Sequence, residues 1–302
     1  MTPAVRLALA LLALTAALVP VTTAVAGKGG ASPGVQLGGR GIAAADGALR
    51  YVARQRAGVT TVTAIDHDGQ SVRRGSVTGL VGIPRVAFDG SLGGLAFDGR
   101  SLVLAAPAPV SGRSRFIVLA TPTLRVKRTI TLRGGWSFDA VSPDGARLYL
   151  VEHARAGSAT YRVRAYDVLR GRLVREAVID PRLGGRAMSG MPVTQAYGPG
   201  GVWAYTLYQK PGGLPFVHAL DTVRGKALCI ELPWRGNQAR LFDVRMRVQG
   251  RSLVLRGLGG AALARIDTRE FVVHAHHNPL GGESIARPDA GTTQAPPGAS
   301  PP

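Results

Sequence analysis

A single cysteine, Cys229, stands in a chain of 302 residues, so no intramolecular disulfide can staple the fold. Exported domains too small for a core depend on such staples. A chain of this length can bury a core without them. Cys229 lies in the alternating run Ala227-Leu228-Cys229-Ile230, the setting of a small buried hydrophobe rather than of a reactive thiol. Lysine is nearly as scarce: only Lys28, Lys127, Lys210 and Lys226 occur, and 18 acidic residues face 37 basic ones. Arginine therefore carries the formal charge of +19. A surplus of that size attracts anionic surfaces such as nucleic acid, lipid headgroups or acidic wall polymers. Yet no block of about five or more like charges occurs. The aromatics, 6% of the chain, do not interleave with the arginines. Arginine spread along the polar phase of alternating segments makes a solvated surface, which disfavours nucleic acid as a partner.

Signatures of chemistry are also missing. There is no G-x-S-x-G elbow for a serine hydrolase, and no glycine-rich loop between a strand and a helix for a nucleotide. The sialidase-type turn S-x-D-x-G-x-x-W is not met, because Ser142-Pro143-Asp144 continues as Gly145-Ala146 and ends in Tyr149. Trp136, Trp203 and Trp234 occupy non-equivalent places, unlike the tryptophan repeat of quinone-dependent dehydrogenases. No catalytic residue set and no cofactor is implied.

Long hydrophobic runs are absent outside the N-terminus. There Arg6 supplies a positive flank, Leu7 to Leu18 an apolar stretch, and Ala24-Val25-Ala26 a small-residue cleavage site. A membrane span needs about 20 continuous apolar residues, and Pro20, Thr22 and Thr23 interrupt this one. Residues 1–26 are expected to be a cleaved signal peptide. The mature protein is then secreted or otherwise extracytoplasmic, with the cell wall as one address. It would have no membrane span after cleavage, and it is expected to be a monomer.

What the chain does have is turns. Glycine numbers 41 and proline 20, and between them lie short runs of period-two alternation, the pattern of half-buried antiparallel strands. Trp136 to Ile179 holds four such runs, separated by Pro143-Asp144-Gly145, a loop around Gly157, and Asp167 to Gly171. Four further blocks follow the same plan. The first runs from Gly41 to Val77 and the second from Gly94 to Leu132. The fourth covers Val193 to Leu232 and the fifth Leu241 to His274. Gly99, Gly145, Gly201 and Gly250 mark one hairpin in successive blocks. Asp66, Ala120, Asp167, Asp221 and Asp267 mark another turn. Both series step at roughly 50 residues, a spacing near that of propeller blades. The fold expected is all-β, a β-propeller of five blades of four antiparallel strands. A sixth blade would require the otherwise unplaced segment Pro84 to Gly93. Residues 27–39 read as a flexible linker, 40–275 as the propeller, and 276–302 as a Pro/Ala/Gly-rich disordered tail.

The hairpin Ser142-Pro143-Asp144-Gly145-Ala146-Arg147-Leu148-Tyr149-Leu150 resembles the blade signature of bacterial YVTN-type and WD-repeat-like β-propellers. The segments Tyr166-Asp167-Val168 and Leu220-Asp221-Thr222 fit the same pattern. The stretches around them are similar to a group of exported proteins of high-GC Gram-positive bacteria. The resemblance covers about Gly41 to His274 and implies the fold and the export, without functional residues. Gly198-Pro199-Gly200-Gly201, which lacks the aspartate, and Gln249-Gly250 depart from it.

Candidate sites are few. The aspartates at the second turn follow a buried hydrophobe and are placed to accept backbone N–H bonds. Asp66-His67-Asp68-Gly69 lacks the remaining ligands of a calcium loop. His274, His276 and His277 form a weak metal candidate without an acidic or cysteine partner at fixed spacing. Glu152, His153 and Asp139 could meet near a propeller mouth for acid–base work, and His218 reads as an interior histidine. The longer loops, Pro107 to Arg115, Arg155 to Thr160, Arg182 to Gln195 and Gln209 to Pro215, are the natural binding surface. Within and beside them Arg182, Arg186, Met188, Met191 and Tyr208 combine charge with apolar character. The expected function is a non-catalytic exported scaffold that binds a protein or an anionic cell-envelope polymer through rim loops. The alternative is a hydrolase or lactonase-like enzyme with its site in the central channel. A carboxylate and a histidine converging on the axis would favour the enzyme.

Overall fold

The computed structural model describes residues 32–154 and 159–282. Residues 1–26, expected to be a signal peptide, the centre of the loop after Ala154 and most of the expected tail lie outside these residues. The fold is all-β, and five antiparallel sheets follow one another along the chain. The first is Ile42–Ala43, Arg50–Arg56, Val59–Ile65 and Ser71–Thr78. The second is Ser101–Ala105, Arg113–Ala120 and Arg125–Arg133. The third is Gly135–Val141, Arg147–His153, Thr160–Asp167 and Arg172–Val178, with Met188–Ser189 added beside Thr160–Asp167. The fourth is Met191–Tyr197, Trp203–Gln209, Phe216–Asp221 and Lys226–Glu231, and the fifth Arg245–Gln249, Ser252–Arg256, Ala262–Asp267 and Val273–Ala275. In the second sheet the expected innermost strand shrinks to one bridge, Leu95 to Leu102.

Alternation puts side chains on both faces of each sheet, and consecutive sheets cover one another's facing sides. Tyr51, Ala53 and Val62 of the first sheet pack on Leu102, Leu104 and Ile117 of the second. Val103, Phe116 and Val118 meet Phe138, Leu148 and Leu150 of the third. Tyr149, Val163 and Ala165 meet Ala204, Phe216 and Leu220 of the fourth, and Tyr205, Leu207 and Val217 meet Leu253, Leu255 and Ile266 of the fifth. The first strands of the fourth and fifth sheets pack against each other, which places them innermost. Sheets copied in series, stacked face to face and converging on their first strands, make a β-propeller. Each of these five sheets is one contiguous stretch of chain; no strand from one end completes a sheet at the other.

The unplaced segment Pro84 to Gly93 builds no sheet of its own. Ile83–Pro84 pairs with Val35–Gln36, so part of the expected flexible linker is an ordered strand. Beyond it Phe88 and Asp89 donate backbone N–H bonds to the carbonyls of Pro192 and Val193, at 3.1 Å each. Asp89 also lies 3.9 Å from Arg245 of the fifth sheet. The segment thus ties the first sheet to the inner strands of the fourth and fifth. The start of the tail is ordered as well: Leu280 is buried, and Gly281 bridges Gly236.

The two repeating sequence markers meet in space. Gly99, Gly145, Gly201 and Gly250 all have positive φ, which suits a residue without a Cβ. The residue after each accepts a backbone N–H from the residue after the second marker: Thr121 to Arg100, Val168 to Ala146, Thr222 to Val202 and Thr268 to Arg251. At the second marker Asp66, Asp167, Asp221 and Asp267 accept backbone N–H bonds from their own turns, as expected. Asp221, buried, accepts from Val223 at 3.0 Å and Arg224 at 2.7 Å. Four residues on from the marker the chain turns left-handed, at Leu124, Gly171, Gly225 and Phe271. Asp221→Ala strips two N–H groups of their acceptor, an expected cost of about 1–2 kcal/mol. Asp221→Asn, which keeps the acceptor, should lose less than half of that in urea unfolding.

Candidate functional site

Three cavities flank the interface between the third and fourth sheets; one of about 420 Å³ lies at the turns around Asp144, Asp167 and Thr222, and the other two hold the candidate residues. The larger, about 670 Å³, lies on the perimeter. The third sheet's outer edge is made in two pieces, Arg172–Val178 and Met188–Ser189, and the chain between them swings out over the fourth sheet's outer strand. A short turn at Pro181–Leu183 starts the excursion, capped by Asp180, whose carboxylate accepts the Arg182 N–H. Asp180 Oδ2 also accepts the Cys229 N–H at 2.8 Å, and Arg182 donates to the Cys229 carbonyl at 2.8 Å. An outer strand presents unpaired N–H and C=O groups. At Cys229 one ion pair, Arg182 to Asp180 at 2.6 Å, covers one of each. Burial alone would push the Asp180 carboxyl up; the bonds from Arg182 and Cys229 outweigh it and hold it below its usual range.

Arg182, Arg186 and Met188, singled out from the sequence, all line this cleft. So do Leu183, Lys210, Phe216, Glu231, Glu270 and Phe271. Arg182, Arg186 and Lys210 face Asp180, Glu231 and Glu270, so the lining charges balance. The other two candidates lie elsewhere. Met191 is half-buried and opens the fourth sheet's first strand opposite Gln209. Tyr208 is core: its ring stacks on Tyr161 at 5.3 Å and on Phe216 at 5.2 Å.

The second cavity, about 20 Å³, lies on the inner side of that aromatic stack. Ser137, Asp139, His153, Tyr161 and Tyr208 line it. Asp139 occupies a β-bulge, since Phe138 pairs with Leu150 and Ala140 with Tyr149. A bulge re-aims a side chain, and here it turns a carboxyl inward. Asp139 is 2% exposed, and its Oδ2 has no hydrogen-bond partner. Burial pushes its pKa up to about 7. Ser137 Oγ lies 3.0 Å from His153 Nε2. Of the proposed acid–base trio the fold brings Asp139 and His153 into one pocket, while Glu152 turns the other way and pairs with Arg164 at 3.3 Å. The space admits about one water molecule.

His218 is wholly buried as expected, with its pKa pushed down to about 4 by burial, so the imidazole is neutral. The Cys229 thiol is pushed up to about 12, first by burial and then by Asp180. At neutral pH the group is therefore the thiol and not the thiolate. The strand Val273–Ala275 leaves His274 exposed, and His276 and His277 follow it at the surface. Among the described residues no cluster of His, Cys, Asp and Glu is arranged for a metal, and no helix is long and apolar enough to cross a membrane.

No protein-family model and no curated protein matches the chain. Among solved structures it is similar to Kuenenia stuttgartiensis hydrazine synthase, at 19% identity and TM-score 0.48, over 75% of this chain and 63% of that one. It is similar also to the Dos1 propeller, at 12% identity and TM-score 0.43, over 78% and 57%. A third likeness is to TolB from Acinetobacter baumannii, at 14% identity and TM-score 0.37, over 75% and 56%. The chain spans less than two thirds of each of these structures.

Protonation of Asp139 can be read out through stability. Its folded pKa, about 7, exceeds the ordinary 3.8, so the folded state binds the extra proton. Stability from this group is full below about pH 4, falls as pH rises towards 7 and is level above. Asp139→Asn should therefore match the wild type near pH 4.5 and exceed it by a few kcal/mol at pH 8 in urea unfolding. A difference independent of pH would show that the carboxyl is not held protonated.

Proposed function

We propose that the protein is a non-catalytic β-propeller module whose perimeter cleft takes up a segment of a partner protein, outside the cytoplasm. The observation that carries this is the cleft itself. Its volume is in the range of sites that enclose a ligand, whereas the inner pocket holds no more than a water molecule. The balanced lining charges, beside Leu183, Met188, Phe216 and Phe271, suit a peptide with apolar side chains and charges of both signs. They suit a uniformly anionic envelope polymer less well. Export rests on the reading of residues 1–26, the likeness to YVTN-type propellers on the Ser142 to Leu150 hairpin, and the likeness to exported proteins of high-GC Gram-positive bacteria on Trp136 to Ile179 and Met191 to Pro233.

One arrangement favours the enzyme reading. Asp139, Ser137 and His153 share a pocket beside the innermost strand of the third sheet, a carboxyl and an imidazole converging inward. Its size weighs against it, because no substrate enters about 20 Å³ unless Tyr161 and Tyr208 part.

A photocrosslinking residue at position 186, in cells of the source organism, should capture a partner that the same residue at the exposed position Leu258 does not. The purified partner segment should then bind the wild type at least tenfold more tightly than Arg186→Glu or Leu183→Asp. Equal capture from both positions, or unchanged affinity in both variants, would remove the cleft from the function. Binding instead to a wall polyanion, with steep salt dependence, would replace the protein partner by a polymer.

A further inference from the structure

Where the excursion crosses the fourth sheet, three soft or borderline donors from three parts of the chain come together. Cys229 Sγ lies 3.8 Å from Met188 Sδ and 3.9 Å from His218 Nδ1. Cys229 is on the outer strand of the fourth sheet, His218 on the adjacent strand directly opposite it, and Met188 on the third sheet's outer edge. Each donor taken singly has a plain structural account. Together they do not. His218 is fully buried; its Nδ1 faces Cys229, and its Nε2, on the other side of the ring, has no hydrogen-bond partner. Keeping an imidazole here with that nitrogen unpaired costs about 1–3 kcal/mol that an apolar side chain would avoid.

We propose that Cys229, Met188 and His218 form a binding site for a soft monovalent metal ion, copper(I) being the natural one and silver(I) its redox-inert equivalent. The two edges that meet at Cys229 have the spacing of a three-coordinate site. With metal–sulfur bonds of about 2.3 Å and a metal–nitrogen bond of about 2.0 Å, trigonal geometry separates two sulfurs by about 4.0 Å and a sulfur from a nitrogen by about 3.7 Å. The observed 3.8 Å and 3.9 Å fall within a few tenths of an ångström of these values. The donor set selects the ion. A thioether and a thiolate favour copper(I), whereas carboxylate and water ligands suit magnesium or calcium, and zinc prefers imidazole and thiolate without thioether.

The surroundings also fit. The Cys229 backbone is clamped on both sides, its N–H by Asp180 and its carbonyl by Arg182, and such outer contacts orient a ligand before the ion arrives. Met188 and Cys229 both line the perimeter cleft, which gives an ion a path from solvent. On binding, the S–H bond of Cys229 breaks, its proton passes to solvent and a sulfur–metal bond forms. No electron is transferred. The site does not depend on what else occupies the cleft.

The test is titration of the folded full chain with copper(I) under ascorbate, in anaerobic competition with bicinchoninate, and with silver(I) without reductant. One ion per chain is expected, with X-ray absorption showing two sulfur neighbours and one nitrogen. Cys229→Ser should weaken binding roughly 100-fold and Met188→Leu roughly tenfold, while His276→Ala/His277→Ala should bind as the wild type. If Cys229→Ser does not fold, Met188→Leu and the absorption spectrum decide. Unchanged affinity in Met188→Leu, loss of the ion to the competitor, or binding that disappears with His276 and His277 would each overturn the site. Weak binding that survives all the variants would mean adventitious metal.

Discussion

Sheet-on-sheet burial is the constraint on which everything else rests. A sheet of four short strands exposes two faces and is marginal alone, and here the faces are closed by neighbours. Four apolar clusters join first to second, second to third, third to fourth and fourth to fifth. Among the described residues no such cluster joins fifth to first. The tie across that side is of another kind: the Phe88 and Asp89 backbone on the inner fourth strand, and Asp89 facing Arg245. Repetition therefore supplies most of the stability, and a single non-repeating segment helps hold the ends of the series together.

Departures from the repeat are where chemistry collects. The bulge at Asp139 sends a carboxyl into a place where the pattern calls for an apolar group. The split outer edge of the third sheet creates both the perimeter cleft and the clamp on Cys229. Between the two cavities stands the stack Tyr161, Tyr208 and Phe216, whose outer member faces the cleft and whose inner members face the pocket. Those rings keep a buried acid apart from a charged, open groove.

Much of the fold was legible in the chain because its cause is local. Alternation and turn residues are short-range signals, and the Asp167, Asp221 and Asp267 turns do what an aspartate after a buried hydrophobe suggests. The site was legible only in part. Arg182, Arg186 and Met188 could be chosen together because they share one mixed loop. Tyr208 looked available beside that loop, yet the stack on Tyr161 and Phe216 buries it. Pairing Asp139 with His153 was visible from adjacent strands, but which of Glu152 and His153 would turn inward depends on strand register. The approach of Met188 to Cys229 had no sequence signal at all, since it depends on how far the excursion from Asp180 to Ala187 reaches over a neighbouring sheet.

Because each of the five larger sheets is drawn from one uninterrupted length of chain, the molecule can assemble in the order in which it is synthesised. Nothing in the described sheets obliges the first unit to wait for the last. Each newly emerged unit finds a finished surface to settle against, which leaves few sticky edges waiting. Such growth from one end would limit the time in which half-made copies could pair with one another.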